Sequence, residues 1–179
     1  MSSAILQSGT PPAIADFLAS LVPPRAGRCT VVAAPLPPEL VASLAEGGLP
    51  ALRRASVVSW EHAASGTRLF GLGVAARWYG PREEGIDEAR AALAGITCDA
   101  AGDIHPAARP RLFGGLAFEP APAHPDPEWA PFGGWQFILP RVIVAETGEG
   151  ELVATACVAS GAGGHDPAPA VPGHTRGGL

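Results

Sequence analysis

The chain has 179 residues and a net charge of −5 at pH 7, with 47% hydrophobic and only 16% charged residues. These values predict a globular domain with a substantial core and exclude an intrinsically disordered chain. The acidic balance also argues against a nucleic-acid partner, because nucleic-acid-binding domains carry a basic patch. The 23 glycines and 20 prolines break the chain into short segments, which favours short strands over long helices.

The first third of the chain predicts two helices on either side of a strand. Residues 10–22 have apolar side chains at helical spacing, with Thr10 as the candidate N-cap. Residues 28–33 are short and β-branched, which is typical of a strand. Residues 38–46 form a second predicted helix, and Gly47-Gly48 is the predicted stop.

The middle of the chain predicts a hairpin, a helix and a loop. Residues 56–60 and 67–78 have the composition of strands, and the turn-forming residues 63–66 separate them. Residues 86–93 predict a helix whose acidic residues lie near its positive N-terminal end. We expect residues 97–110 to form a loop.

Three more strands are predicted in the second half of the chain, at residues 111–118, 135–145 and 151–159. The last two flank residues 146–150, which have the composition of a tight turn. Strands joined by hairpin-length links predict an antiparallel sheet. The expected fold class is therefore α+β, an antiparallel β-sheet with a few short helices packed on one side of it.

Two regions follow from this pattern. Residues 1–159 are predicted to form the α+β region, and residues 160–179 a disordered tail rich in glycine, proline and alanine. The N-terminus has no basic region followed by an apolar run, so we expect neither a signal peptide nor a membrane span, and a cytoplasmic location. Cys29, Cys98 and Cys157 are widely spaced and odd in number, which predicts free, mostly buried thiols in a reducing compartment.

One short motif formally matches a dinucleotide-binding fingerprint. Gly71-Leu-Gly73-Val-Ala-Ala76 has the spacing GxGxxA, which functions only where a long helix follows the strand. Pro81 comes soon after Ala76 and leaves room for about one helical turn. We therefore interpret the glycines as strand positions where neighbouring side chains need room.

Two other groups of polar residues could suggest a site. Asp99, Asp103 and His105 are close in sequence, but they lack the ligand count and spacing of a calcium or zinc site. Solvated loop side chains are the preferred interpretation. Glu61-His62, beside Trp60, is read as the entry to a turn, and no serine lies in a GxSxG elbow.

The segment Arg111-Leu-Phe-Gly-Gly-Leu-Ala-Phe-Glu-Pro120 is the most distinctive in the sequence. It is followed by Trp129 and Phe132 and then by Leu139-Pro140-Arg141. Together with Gly71 and Gly73, these residues resemble the N-terminal half of isochorismate synthases, members of the chorismate-utilising enzyme family. The resemblance covers roughly residues 55–160 and implies the N-terminal half of that family's fold.

The resemblance also implies a reaction. Isochorismate synthases add water at one ring carbon of chorismate and remove the hydroxyl at another, with Mg²⁺ holding the substrate carboxylate. A lysine is the general base and a glutamate the general acid, and both belong to the C-terminal half. The product feeds menaquinone or siderophore biosynthesis.

The chain contains no lysine, since all twelve Lys+Arg residues are arginine. Arginine cannot replace a lysine base, because its pKa stays above about 12. We therefore predict no catalytic, cofactor-binding or metal-binding residue in this chain, and Glu119 is interpreted as a strand-end or loop residue, not a magnesium ligand. Mg²⁺ and chorismate are expected only with a separately encoded C-terminal catalytic half, and no nucleic acid or membrane is expected as a partner.

Three hypotheses remain open at this point. The chain is an N-terminal part of an isochorismate synthase, inactive alone; or it is a free-standing, non-catalytic binding or interaction domain derived from the same fold; or it is an unrelated α+β domain. The glycine-rich and proline-rich end of the sequence favours the first hypothesis, because an independent domain more often closes with a packed element.

Overall fold

A computed structural model of the chain describes residues 12–21, 30–81, 85–117 and 134–160. Within these ranges the structure is a mixed sheet with four short helices, which confirms the predicted α+β class. The helices are α1 (Pro12–Ser20), α2 (Pro38–Ala45), α3 (Gly48–Ala55) and α4 (Ile86–Ala94). The strands are β1 (Thr30–Pro35), β2 (Ser56–His62), β3 (Thr67–Gly80), β4 (Thr97–Ala100), β5 (Phe113–Leu116), β6 (Trp135–Glu146) and β7 (Leu152–Ser160), and a 3-10 turn spans Pro106–Ala108.

The strands form one sheet in the order β2-β3-β6-β7-β1-β4, and β5 also pairs with β6. Strand β6 is shared between two partners on the edge that faces away from β3. Its residues 135–138 pair with β5, and its residues 142–146 pair with β7. All of these pairs are antiparallel except β1 with β4, which is parallel.

The pairing of β3 with β6 forms the centre of the sheet. It runs from Arg68 opposite Glu146 to Gly80 opposite Trp135, with one bulge between Val74 and Ala76. The four consecutive residues 142–145 of β6 are all buried. Because successive side chains of a strand point to opposite faces of the sheet, both faces of β6 lie against other parts of the chain. A strand that is buried on both faces reads as a continuous apolar run.

The helices lie on both faces of the sheet. Ile14 and Leu18 of α1 pack with Phe70 and Val144 on one face, and the apolar residues of α2 and α3 join the same cluster. Ala89 of α4 packs with Ile143 on the opposite face. The prediction that all helices lie on one side was therefore wrong, because the alternate residues of β6 are equally apolar and both faces require cover.

Two other predictions were wrong. Residues 97–110, predicted as a loop, contain β4 and the 3-10 turn. Strand β4 has four exposed residues and no apolar alternation, so its conformation comes from pairing with β1 and not from its own pattern. The glycines Gly47-Gly48 were predicted only to end a helix, but a further helix that was not predicted, α3, begins at Gly48 and buries Leu52.

The remaining elements form near their predicted positions, although the strand predicted at residues 111–118 is shorter, at Phe113–Leu116. The hairpin of β2 with β3 and that of β6 with β7 both form, with the expected turns. Three predictions fall outside the described residues: the N-cap at Thr10, the free thiol of Cys29, and the tail from residue 161 onwards. No helix in the described ranges is long and apolar enough to cross a membrane.

A mutation in β6 tests how much the central strand contributes. Ile143 is fully buried, and truncating a buried isoleucine to alanine costs about 2–5 kcal/mol. We expect Ile143→Ala to lower the free energy of unfolding by that amount, measured by urea titration. Val57→Ala, at an exposed position of β2, is the control and should change it by less than about 0.5 kcal/mol. Equal effects of the two substitutions would contradict this account of the core.

Candidate functional site

The glycines of the GxGxxA motif lie inside a strand. Strand β3 continues to Gly80 without the helix that a dinucleotide site requires. A Cβ atom at Gly71 would lie 2.6 Å from side-chain atoms of both Val58 and Pro140. Gly73 adopts φ +59°, next to the bulge in β3. The interpretation of these glycines as strand positions short of space is confirmed.

The motif Leu139-Pro140-Arg141 also has a structural role. Leu139 is 2% exposed and belongs to the core. Pro140 lies between the residues of β6 that pair with β5 and those that pair with β7. Arg141 Nε donates a hydrogen bond of 2.9 Å to the carbonyl oxygen of Val74, where β3 bulges. The motif therefore fixes the centre of the sheet and presents no reactive group.

Gly114 lies where β5 crosses very close to β6. A Cβ atom at this position would collide with the carbonyl oxygen of Gln136 and lie 2.7 Å from the Cα atom of Phe137. Only glycine fits such a close approach of two backbones. The other residues that carry the resemblance in this part of the chain (Phe118, Glu119, Pro120, Trp129 and Phe132) lie outside the described residues.

Glu61 and His62 lie at the end of β2, as the turn interpretation predicts. Glu61 Oε1 is 3.4 Å from Arg68 Nε, and Arg68 Nη1 is 2.8 Å from Glu146 Oε2. The hydrogen bond with Glu146, followed by the two carboxylate charges, raises the pKa of Arg68. His62 Nδ1 lies 2.9 Å from Ser65 Oγ, and its ring stacks on Trp60. These contacts bind three strands and a turn together.

The candidate metal ligands do not converge. Asp99 lies in β4, and Asp103 lies beyond that strand. His105 Nδ1 accepts a hydrogen bond of 3.2 Å from the amide of Ala107 and so caps the 3-10 turn. Among the described residues, no three His, Cys, Asp or Glu side chains are grouped to hold a metal ion.

Two clefts flank the segment of residues 101–112, which packs on the α4 face of the sheet. Its Ala108 is fully buried against Leu69 and Ala145. The first of the two clefts, which we call the β4 cleft, has a volume of about 500 Å³. It is lined by Val31, Ile96, Cys98, Ala100, Gly102, Asp103, Ile104, Arg109, Pro110, Arg111, Leu112 and Leu139.

The second, which we call the β2 cleft, lies on the other side of the same segment and has a volume of about 750 Å³. It is lined by Trp60, His62, Ser65, Thr67, Leu69, Pro106, Ala107, Arg111, Leu112, Phe113 and Gly114. Arg111 and Leu112 line both clefts and so separate them. Arg111 Nη2 donates a hydrogen bond of 3.2 Å to the carbonyl oxygen of Pro106.

Sequence reasoning did not find the β4 cleft. Its walls come from β1, β4, β6 and the segment 101–112, which are far apart in sequence. Arg109 and Arg111 flank Pro110, and this alternation is the only local signal of the cleft. In an extended segment, such spacing places two arginines on one side.

The two described cysteines differ in exposure. Cys98 is exposed and lines the β4 cleft, whereas Cys157 is buried. The prediction of free thiols is therefore confirmed for both residues. The prediction of burial is confirmed for Cys157 and is wrong for Cys98. Although Cys98 is exposed, its partial desolvation raises the pKa of the thiol, with a smaller contribution from the charge of Asp99. Burial also raises the pKa of Cys157 from 9.0 to about 12.

The comparisons with known proteins give one match. A family model described as chorismate binding enzyme matches residues 45–166, which is more than half of the chain. The matched range includes strands β2 to β7, and with them the segment of residues 101–112 that lies between the two clefts. No curated protein and no solved structure matches the chain.

Thiol chemistry tests the two cysteine environments. In the folded chain at neutral pH, we expect iodoacetamide to alkylate Cys98 and not Cys157, with peptide mass spectrometry separating the two sites. Urea should make Cys157 reactive, because the unfolded thiol is accessible and has an ordinary pKa. Rapid labelling of Cys157 without denaturant would contradict its burial.

The raised pKa of Cys157 also makes stability depend on pH. The folded protein holds this proton more tightly than the unfolded chain does. The stability that the protonated thiol contributes is therefore fully present below pH 9.0. It is lost progressively as the pH rises towards about 12. Urea titrations across this alkaline range should therefore show a decrease in the free energy of unfolding, and Cys157→Ala should make that decrease smaller, leaving the contribution of Cys98.

A methyl group at Gly114 tests the close approach of β5 to β6. We expect Gly114→Ala to destabilise the fold by about 1–3 kcal/mol, because the extra carbon forces the strands apart. Gly95→Ala is the matched control, since its Cβ would approach the chain no closer than 4.0 Å. Thermal unfolding of both variants provides the measurement, and an unchanged melting temperature for Gly114→Ala would refute the steric argument.

Proposed function

The chain belongs to the family of chorismate binding enzymes, and we propose that it forms the sheet region of an isochorismate synthase-type enzyme. Such an enzyme converts chorismate to isochorismate, for menaquinone or siderophore biosynthesis. In this proposal the catalytic groups come from sequence outside these 179 residues, as a separately encoded C-terminal half or a continuation of the same protein.

The observation that carries the proposal is what the family-like motifs do in the fold. Gly114 permits the approach of β5 to β6, and Arg141 holds the bulge of β3 through the carbonyl oxygen of Val74. Leu139 is part of the core. These residues build the sheet, and none presents a nucleophile, an acid or a base. They are therefore expected in a part of the enzyme that supports the reaction without performing it.

The composition supports the same division of roles. A base that activates water must give up its proton near neutral pH. The chain has no lysine, and arginine keeps its proton. The described carboxylates do not group around a possible Mg²⁺ site. We therefore propose that the isolated chain does not turn over chorismate and that it needs its catalytic half to do so.

The experiment compares the chain alone with the chain produced together with the coding sequence that follows codon 179. Both preparations are incubated with chorismate and Mg²⁺, and the products are separated by liquid chromatography. We expect isochorismate only from the second preparation. Gly114→Ala, introduced into that preparation, should reduce its yield of active enzyme because it disturbs the sheet, whereas Gly95→Ala should not.

Each other result has a defined meaning. Turnover by the chain alone would overturn the proposed division of roles. A product other than isochorismate from the second preparation would keep the family and refute the isochorismate synthase type. An inactive second preparation would favour the alternative, a non-catalytic binding domain derived from the same fold.

A further inference from the structure

We propose that the β4 cleft is a binding site for a small molecule that carries one carboxylate on an apolar ring. The cleft has a volume of about 500 Å³, and small-molecule sites are typically about 300–1,000 Å³. All of its lining residues belong to this chain. The inference is therefore independent of chorismate turnover and of any catalytic half.

The body of the cleft is apolar and firmly held. Val31 and Leu139 form part of its wall and are 3% and 2% exposed, so they belong to the core of the sheet. Ile96, Ile104 and Leu112 extend the apolar lining and pack against the same core cluster. Such a surface suits a flat hydrocarbon ring, because burial of apolar area is the main favourable contribution to binding.

Two arginines give the cleft a site for an anion. Arg109 and Arg111 both line it, and neither forms an ion pair with a carboxylate among the described residues. Arg111 lines both clefts, and its Nη2 donates a hydrogen bond to the carbonyl oxygen of Pro106 in the wall of the β2 cleft. A guanidinium group has five N–H donors, so donors remain for a ligand. Arginine binds carboxylates with two parallel hydrogen bonds.

The third charged residue of the cleft limits the charge of the ligand. Asp103 also lines the cleft, so the lining carries two positive charges and one negative charge. The net charge of the lining is therefore +1, which one carboxylate neutralises and a second would exceed, so the cleft favours a monoanion over a dianion.

The experiment uses 2-naphthoate as the probe and isothermal titration calorimetry on the full chain. We expect saturable binding with one site per chain. Arg109→Gln should weaken it about tenfold, because a charge-assisted hydrogen bond is lost. Arg109 is exposed, so this variant should fold, and its melting temperature checks that. Arg54→Gln, an exposed arginine on α3, is the matched control and should bind like the unmodified chain.

Cys98 reports whether the probe occupies this cleft. Because Cys98 lines the cleft and is exposed, bound 2-naphthoate should slow its alkylation by iodoacetamide. The neutral analogue 2-naphthamide should bind at least about tenfold more weakly than 2-naphthoate, because it has no carboxylate to form charge-assisted hydrogen bonds with the arginines. The proposal is overturned if millimolar 2-naphthoate does not bind, if 2-naphthamide binds equally well, if Arg109→Gln has no effect, or if Cys98 is not protected.

Discussion

The fold depends on the long antiparallel pairing of β3 with β6. This pairing extends from Arg68 opposite Glu146 to Gly80 opposite Trp135. The rest of the sheet is built outward from these two strands, with β1 joining through β7 and β4 through β1. Strand β2 pairs with β3, while β5 and β7 divide the remaining edge of β6. Since the residues of β6 from 142 to 145 are buried on both faces, a shift of one residue in this register would move the wrong side chains into each core cluster.

Local sequence was sufficient for the elements that form by local contacts. The hairpin of β2 with β3 closes over residues 63–66, and the hairpin of β6 with β7 closes at residues 147–151. Turn-forming residues between apolar runs predict both, because the strands that pair are adjacent in sequence. Strand β4 has no such signal. Its pairing with β1 is parallel and joins residues more than sixty positions apart, so its conformation is set by a partner that a local pattern cannot indicate.

The same limit explains what the sequence could and could not reveal of the candidate site. The GxGxxA motif and the Asp99–His105 cluster could be assessed locally, because a helix after Ala76 or a regular ligand spacing would have been visible in the sequence itself. The β4 cleft could not. Val31, Cys98 and Leu139 reach it from three strands, and only the order of those strands in the sheet brings them to one wall. Arg109 and Arg111 line the cleft because of the way the sheet assembles that wall, which their neighbours in sequence do not indicate.

The residues that most resemble a known family are those with the least chemistry, and the geometry explains why. Gly114 and Gly71 lie where a Cβ atom would collide with a neighbouring strand or side chain, and Arg141 uses its Nε to bind a backbone carbonyl oxygen at the bulge of β3. A Cβ atom at either glycine would have to displace a neighbouring strand or side chain, so the sheet itself constrains these two positions whatever the chain binds. A ligand cleft lined by core side chains imposes weaker demands, since many combinations of apolar residues give the same wall. Resemblance in this chain therefore identifies the sheet, whereas its binding chemistry has to be read from the arginines that the sheet brings together.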